Sequence, residues 1–413
     1  MFRKLSTLNR EFLVLIGGQS LSSLGTAITN FALPWLLLQV TGSALQMGIG
    51  FAIETIPYLV LSIPAGVWAD RYNRKRLMMR MDALRLIIIV SLPVIHLFSS
   101  IQVFEIYGVL VLMSASSAVF DASYGAALPL VMGKDFLKEG NVLRSVGTST
   151  ARVLGPAIGG ALVVWLGATN TLNVDAGSYL ASLISLAVIR KPFSEGVAGQ
   201  RLSSRFLVEA REGMRYLFGH PLIRKLVLLA SIINLWGEAV FSVLLYHMRS
   251  ELHIGATWSG VVMTFVGVGI LIGSLSSLWI MNHTPVVTSI TGLLILQVAM
   301  PATLSFTAYP ALIALCVLVY ASTSGIWSVL SSVIRQSVVP NQLLGRVGSA
   351  NRLFSWIAMP VGSASGGAIA QEFGAWNVFR GSSILQVLMI GWWALGLKQV
   401  SSNEKSDSPK ARG

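Results

Sequence analysis

Long apolar runs, repeated along the chain at short intervals, constrain the fold more than any other feature of this sequence. Two of them read FLVLIGGQSLSSLGTAITNFALPWLLLQV and LIIIVSLPVIHLF. A helix of about 20 apolar residues crosses the core of a bilayer, so each such run predicts a transmembrane helix. Only 11% of the 413 residues are charged, less than half of the share typical of soluble proteins. A polytopic helical membrane protein is therefore predicted, because a transmembrane β-barrel would show short alternating segments instead.

Length and hydropathy predict twelve transmembrane helices. The predicted spans are 12–39, 45–69, 78–98, 104–131, 143–167, 171–189, 225–248, 256–281, 286–307, 310–334, 346–370 and 376–397. The connections are short except between Arg190 and Arg224, where FLVEAREGMRYLF has the apolar stripe of an amphipathic helix. We expect that helix to lie on the inner membrane surface and to join two halves, with a regulatory site as the alternative.

The distribution of Lys and Arg predicts the orientation. The net charge is +13, and the basic residues collect in the N-terminus, 70–80, 132–144, 190–225, 335–346 and the C-terminus, whereas 40–44, 99–103, 168–170 and 308–309 contain none. Loops rich in Lys and Arg face the cytoplasm, so both termini are predicted to be cytoplasmic. The same rule accounts for the basic charge, and no nucleic acid partner is expected.

Glycines recur when the chain is shifted by 207 residues, about half its length. This shift places Gly66 on Gly273, and it places Gly155, Gly159, Gly160 and Gly167 on Gly362, Gly366, Gly367 and Gly374. The repeat predicts an all-α membrane fold with two pseudo-symmetric six-helix bundles, an architecture typical of transporters. The expected units are a first bundle at 1–189, a cytoplasmic linker at 190–224, a second bundle at 225–397 and a disordered tail at 398–413.

Small residues spaced by four follow one face of the predicted fifth span. They are Gly147, Ala151, Gly155 and Gly159, with Pro156 as a predicted bend and Gly160 next to the stripe. Such a face lets two helix backbones approach closely in lipid. The sequence leaves two interpretations open, which are ordinary helix packing and sliding contacts between the two halves.

Five ionisable residues fall inside predicted spans: Glu54, Asp121, Arg152, Asp175 and Glu238. A charge inside the membrane costs at least about 2.5–3.5 kcal/mol, so each should meet a partner or a wet cavity. Asp121 and Arg152 lie at similar depths, about 15 Å from one end, and are predicted to form an ion pair. Glu54 and Glu238 lie nearer mid-membrane, one in each half, and are candidates for proton coupling because low-dielectric surroundings favour a neutral carboxyl.

Other polar residues have less specific expectations. Asp175 is close to the outer end of its span and is expected to cap a helix, and His247 is expected at the membrane interface. Gln19, Asn30 and Asn234 could line a polar cavity or form hydrogen bonds between helices.

No motif of an enzyme appears in the sequence. There is no Gly-x-x-x-x-Gly-Lys phosphate loop, no His-Glu-x-x-His and no Gly-x-Ser-x-Gly. Five scattered histidines and one cysteine, Cys316, predict neither a metal site nor a disulfide within the chain. The protein is therefore expected to be no enzyme and to need no cofactor.

The stretch GVWADRYNRK at 66–75 resembles the signature loop of the major facilitator superfamily, and GPAIGG at 155–160 resembles its antiporter motif. TGSALQMG and VVPNQLLGRVGSANRLFSW add similarity to the branch of drug:proton antiporters that holds macrolide-efflux and siderophore-export proteins. The resemblance implies a monomer in a bacterial-type inner membrane. It also implies that the signature loop holds the outward-facing state closed at the cytoplasmic side.

The resemblance assigns roles within that loop, which we call the charged loop (66–75). Asp70 would meet the eleventh span across the interface between the halves. The residues Gly66, Arg71, Arg74, Lys75, Asp82 and Arg85 would complete the network around it. Asn73 replaces the usual glycine and can adopt a left-handed turn. The fourth span lacks the arginine that many antiporters carry, and Arg152 on the fifth span is its expected substitute.

Taken together, the sequence predicts proton-coupled export of amphipathic or hydrophobic small molecules, with the small molecule, protons and the lipid bilayer as partners. Three alternatives stay open at this stage. They are an uptake symporter or facilitator of the same fold, a lysophospholipid flippase, and a membrane sensor that does not transport.

Overall fold

The computed structural model describes residues 10–133, 136–191, 193 and 206–406. Its helices in the first part of the chain are α1 Arg10–Thr41, α2 Ala44–Arg71, α3 Arg74–Phe98, α4 Val103–Met132, α5 Leu137–Leu166 and α6 Ala168–Val188. The later helices are α7 Phe206–Gly219, α8 Pro221–Tyr246, α9 Ala256–His283, α10 Val286–Leu304, α11 Pro310–Val338, α12 Leu344–Phe373 and α13 Ala375–Ser406. A π-helical turn, His247–Glu251, extends α8.

Eleven of the described helices are long and apolar enough to cross a membrane. The remaining long helix, α13, also carries the polar residues Arg380 and Gln386 and packs against α10, α12 and α8. With it, α1–α6 and α8–α13 form two six-helix bundles, and the predicted all-α membrane fold with twelve spans is confirmed. The helix α13 runs past the predicted boundary at 397 into the segment expected to be disordered, where no proline interrupts the chain before Pro409.

The helix ends follow from local sequence. Gly167 and Gly374, which are related by the 207-residue shift, end α5 and α12 with φ values of +81° and +82°. These values lie in the region that only glycine adopts without strain. Asn73 has φ −63° rather than the left-handed conformation we expected. Its side chain instead caps α3 by accepting a hydrogen bond from the backbone N–H of Arg76 at 3.0 Å.

Alternation of the spans places two sets of turns at opposite ends of the molecule. We call the end that carries Arg10 and the turns at 72–73 and 339–343 the basic end, and the other the distal end. Large apolar side chains remain exposed on the lateral surface, among them Leu97, Trp165 and Leu275. A lipid bilayer is the medium in which such a surface is stable.

The two bundles contact each other at the distal end. Gly48 of α2 faces Gly367 of α12, and Gly160 of α5 faces Gly260 of α9, so closely that an added Cβ on Gly160 would lie 2.5 Å from the Ala256 carbonyl oxygen. The 207-residue shift places Gly160 on Gly367, so the repeat supplies one glycine to each crossing. Small residues at these positions let the backbones touch.

The stripe of small residues on α5 packs within its own bundle. Gly147, Gly155 and Gly159 face Ser20, Ala27 and Ile28–Phe31 of α1. The interpretation of the stripe as sliding contacts between the halves is therefore wrong for these residues, because that face of α5 is turned toward α1. The contact between halves comes from the neighbouring Gly160, which is rotated by one residue around the helix.

The amphipathic helix of the linker, α7, packs on the second bundle. Leu217 is fully buried in a small core with Ile223 of α8 and Val347 of α12. Glu212 forms an ion pair with Arg346 of α12. The prediction of a helix in this segment is therefore correct, and its described contacts lie with α8, α12 and the end of α11, where the hydroxyl of Tyr216 donates to the carbonyl of Val338 at 3.3 Å.

Candidate functional site

A central cavity lies between the bundles on the side of the basic end. Its larger part has a volume of about 590 Å³ and is lined mainly by the first bundle, together with Trp356 and Met359 of α12. Its ionisable lining consists of Glu54, Tyr58, Arg85, Asp121, Tyr124, Arg144, Arg152 and Tyr179.

A second part of about 420 Å³ is lined by α8, α11 and α12. Trp356 lines both parts, so the two spaces adjoin at the interface between the bundles. The charged residues of this second wall are Arg335 and Arg352, and its described lining contains no Asp or Glu.

The two walls follow the same repeat as the glycines. Shifting by 207 residues places Phe120, Asp121, Tyr124, Arg144 and Thr148 on Trp327, Ser328, Ser331, Asn351 and Ser355. Every one of these residues lines its own wall. The cavity is therefore built from corresponding faces of the two bundles, but the charges on those faces differ.

Asp121 does not pair with Arg152, as the sequence had suggested. It accepts a hydrogen bond from the hydroxyl of Tyr58 at 3.1 Å, and Arg85 and Arg144 act on it electrostatically. Asp121 and Arg152 lie at similar depths on their helices, but the two residues stand at different angles around the helix axes. The partners of Asp121 come from α2 and α3 instead. Arg152 is exposed to the cavity, with no ion pair among the described residues.

Asp82 and Arg85 do not belong to the charged loop. They form an ion pair with each other, and both side chains are buried, at 0% and 6% exposed. They lie about 12 Å deeper than the loop, since Asp82 follows Arg74 by eight residues along α3. Ser182 donates to Asp82 at 2.6 Å and accepts from Gln19 at 2.7 Å, which links α1, α3 and α6.

Glu54 of α2 and Glu238 of α8 lie at the same depth. Each is 17 residues from the basic end of its helix, at Arg71 and Pro221 respectively, or about 26 Å along the axis. Their charges interact across the interface between the bundles. Glu54 lines the cavity, and Tyr320 of α11 is electrostatically coupled to Glu238.

Two other expectations are wrong. Asp175 is fully buried within α6, where it accepts a hydrogen bond from Ser178 at 2.8 Å, and it caps no helix. His247 is also fully buried, in the turn after α8, where it pairs with Glu251 at 2.6 Å between Trp376 and Phe379. Packing of α13 against this turn removes His247 from the membrane interface.

Asn30 lines the cavity, as one of the two interpretations proposed. Asn234 lines the second wall and also donates to the backbone carbonyl of Ser355 at 2.8 Å, so that both interpretations hold for it. Gln19 lines the cavity as well as bonding Ser182.

The hydrogen bonds and the ion pair described for the charged loop lie within the first bundle. Asp70 is 68% exposed and pairs with Arg74 at 3.2 Å. Arg74 also donates to the carbonyl of Ala126 at 3.0 Å, and Lys75 donates to the carbonyl of Ile189 at 2.6 Å. Gly66 has open space beside it. Among the described residues, Asp70 forms no ion pair or hydrogen bond with α12.

Several residues that line the cavity are not predicted from the sequence. No sequence pattern distinguishes these residues, because tyrosine and tryptophan are ordinary in apolar spans and the arginines lie near predicted span ends. They are Tyr58, Arg144, Arg335, Arg352 and Trp356. The repeat was the available signal, since it relates the two walls position by position. No group of three potential metal ligands occurs in the part of the chain that the structure describes.

Comparison with known proteins identifies the relatives of the chain. A family model described as Transmembrane secretion effector matches residues 5–411. The multidrug efflux pump Tap of Mycolicibacterium fortuitum is 27% identical over 395 residues, covering 93% of this chain and 95% of Tap. Macrolide efflux protein A of Streptococcus pyogenes is 24% identical over 392 residues, with coverages of 92% and 95%.

Solved structures agree with this assignment at the level of the fold. A bacterial homologue of the iron transporter ferroportin in its inward-facing state has a TM-score of 0.73 and 17% identity, covering 93% of this chain and 98% of its own. The outward-facing state of such a homologue has a TM-score of 0.58, with 18% identity and coverages of 94% and 100%.

Proposed function

Because the chain belongs to the Transmembrane secretion effector family, a branch of the major facilitator superfamily of transporters, we propose that it exports amphipathic or hydrophobic small molecules by proton exchange. Multidrug and macrolide efflux pumps among its relatives support export. We place it in a bacterial-type inner membrane with both termini cytoplasmic, which makes the basic end the cytoplasmic one.

The observation that carries the proton assignment is the pair formed by Glu54 and Glu238. One carboxyl comes from each bundle, both stand at one depth, and their charges interact. Two carboxylates in a site of low dielectric repel each other, so binding of a proton to one of them stabilises the approach of the bundles. Release of that proton favours separation of the bundles at this depth. Proton binding and conformation are thereby linked.

The proposed cycle alternates between the present state, open at the basic end, and a state open at the distal end. The second state requires the contacts at Gly48–Gly367 and Gly160–Gly260 to separate and the charged loop to meet α12. The higher similarity to the inward-facing ferroportin homologue than to the outward-facing one supports this description of the present state. Both states would be exchanged by rigid motion of the two bundles.

Proteoliposomes with an imposed pH gradient test the coupling, with the cations ethidium and a radiolabelled macrolide and the anion fluorescein as transport probes. We expect Glu54→Gln and Glu238→Gln to abolish uphill transport, because a neutral amide cannot exchange a proton, while exchange of the probe without a gradient persists. Asp121, which lines the cavity together with Glu54, is the third acid that we propose to bind a proton, and Asp121→Asn should likewise abolish uphill transport in the same assay.

The matched control is Glu105→Gln, at the distal start of α4, where Glu105 accepts a hydrogen bond from the backbone N–H of Gln102 away from the cavity. It should leave uphill transport unchanged. If gradient-driven transport persists in the Glu54, Asp121 and Glu238 variants made singly, the proposed proton sites are wrong.

A further inference from the structure

Two arginines face the second wall of the cavity without an acidic partner. Arg335 of α11 and Arg352 of α12 both line this wall, and their positive charges act on each other. Among the described residues, neither side chain forms an ion pair or donates a hydrogen bond. Like charges at one cavity cost free energy, and a bound anion would offset that cost.

The surroundings of these arginines supply further donors and an apolar surface. Asn351, Ser328 and Ser355 line the same wall, and the hydroxyl of Ser355 has no hydrogen-bond partner although the residue is only 5% exposed. This hydroxyl is enclosed by protein atoms, so the polar side chains open to the cavity here are Ser328 and Asn351. Trp327 and Trp356 provide flat apolar faces beside the donors.

Comparison with the first wall shows that the two arginines of the second wall do not follow from the 207-residue repeat. The positions that correspond to Arg335 and Arg352 under the 207-residue shift are Leu128 and Ser145, and the acid Asp121 corresponds to Ser328. On the first wall Arg85 pairs with Asp82, and Arg144 acts on Asp121. The second wall therefore has arginines at two positions where the first wall has Leu128 and Ser145, and it lacks the acids that accompany the arginines of the first wall.

The general bias of basic residues toward the basic end does not account for the pair either. Arg346, on the same helix as Arg352, forms an ion pair with Glu212 outside the cavity. Arg352 instead lines the cavity one helical turn before Trp356, whose ring centre lies 6.3 Å from that of Tyr58 of α2. An anion between Arg352 and Arg335 would thus lie at the junction of the two bundles.

We propose that Arg335 and Arg352 bind the anionic group of an amphipathic substrate, a carboxylate, sulfonate or phosphate attached to an apolar body. Guanidinium groups bind such anions through paired hydrogen bonds, and the two tryptophans would cover the apolar body. Ser328 and Asn351, which line the same wall, would complete the hydrogen bonds of the anion. The inference rests on the proposed transport function and narrows its substrate class.

Two dyes of one scaffold test the charge preference of the purified full chain in dodecyl maltoside. Fluorescein is anionic and rhodamine 123 is cationic, and their binding is measured by fluorescence anisotropy without any gradient. We expect fluorescein to bind at least about tenfold more tightly, and Arg335→Gln and Arg352→Gln each to weaken it by about tenfold or more, the usual effect of losing a charge-assisted hydrogen bond. Arg335→Lys, which keeps the charge, should lose less.

The matched control is Arg346→Gln on the same helix as Arg352, which should change fluorescein affinity by less than about threefold because Arg346 pairs with Glu212 outside the cavity. The melting temperature without dye should stay equal or rise in Arg335→Gln and Arg352→Gln, since each removes a repulsion. Equal affinity for both dyes, or fluorescein binding unchanged in both variants, overturns the proposal. So does a lowered melting temperature in both variants, which would assign the arginines to the fold.

Competition by lysolipids distinguishes two sources of the anion. Displacement of fluorescein by oleoyl-lysophosphatidylglycerol but not by oleoyl-lysophosphatidylcholine supports the anion site and indicates a lipid substrate. Fluorescein binding that neither lysolipid displaces supports the same site for a soluble organic anion. Because binding needs no gradient, loss of the charge preference with intact proton-driven transport would refute this inference and leave the proposed function standing.

Discussion

At the scale of single residues, Arg85 connects three helices of the first bundle. It pairs with Asp82 on α3, and its guanidinium lies 4.2 Å from the ring centre of Phe120 on α4 and 4.7 Å from that of Tyr179 on α6. Ser182 supports the acid from α6. A buried ion pair carries a large desolvation cost that only its partners offset. Removing one partner therefore leaves an uncompensated charge or an unsatisfied group.

We expect Asp82→Asn and Arg85→Gln each to lower the free energy of unfolding by about 3–5 kcal/mol, the typical effect of breaking a buried pair. Thermal unfolding of the purified protein in neutral detergent measures this, and the double variant should show a coupling of about 0.5–3 kcal/mol. The control is Asp70→Asn, which breaks an exposed pair on the same side of the bundle and should cost less than about 1 kcal/mol. Additive effects of the two buried substitutions would contradict the pairing.

At the scale of elements, α5 uses two adjacent faces for two different neighbours. The face with Gly155 and Gly159 packs on α1 of the same bundle, whereas Gly160 contacts α9 of the other bundle. Consecutive helical residues are rotated by about 100°, so two glycines side by side allow one helix to approach two neighbours. The antiporter-like motif GPAIGG thus serves packing within a bundle and contact between bundles at once.

Gly160→Val should weaken the closed distal end, because a side chain there would press on the backbone of Ala256 and Gly260. Overpacking costs about 1–3 kcal/mol, which lowers the equilibrium constant for closure of the distal end by about 5- to 150-fold. Disulfide formation between Ser43→Cys and Gln371→Cys, whose wild-type side chains are hydrogen-bonded at 2.7 Å across this end, reports closure in a Cys316→Ser background.

Gly108→Val on α4 is the control for the same substitution, since no neighbouring atom lies within 4 Å of an added Cβ there. It should leave the yield of the disulfide unchanged. An undiminished yield in Gly160→Val would mean that the α5–α9 crossing does not determine closure.

At the scale of the whole molecule, the two ends differ in how the bundles meet. The distal end is held by glycine crossings and by Arg249, which donates to the Trp35 carbonyl at 3.1 Å and lies over the Trp35 ring. On the side of the basic end the cavity lies between the bundles, and the ion pair described for the acid of the charged loop is with Arg74 of its own bundle. A contact present in one state and absent in the other biases the equilibrium between them.

Asp70→Asn should therefore slow transport while leaving probe affinity in detergent within about twofold, because Asp70 contributes only to the state closed at the basic end. The disulfide between positions 43 and 371 should form more completely in this variant. Lys75→Gln is the contrasting substitution: it removes hydrogen bonds to the end of α6 and should lower the melting temperature instead. Equal loss of affinity and transport in Asp70→Asn would indicate misfolding and contradict this role.

The spans, the family and the register of the repeat could be read from the sequence alone. Hydropathy determines which segments cross a bilayer, and the 207-residue shift relates Gly160 to Gly367 whatever surrounds them. These properties depend only on the order of residues along the chain. They can therefore be determined without knowing which residues are neighbours in space. The depth of a residue along a helix, as for Glu54 and Glu238, belongs to the same class.

Only the tertiary structure decided which side chains meet. Asp121 faces Tyr58 rather than Arg152, and Asp82 and Arg85 form a buried pair apart from the charged loop. Arg335 and Arg352 share one wall although 17 residues separate them in sequence. The physical reason is that spacing along a helix determines depth, whereas the rotation of each helix and the choice of its neighbours come from packing of whole helices against one another.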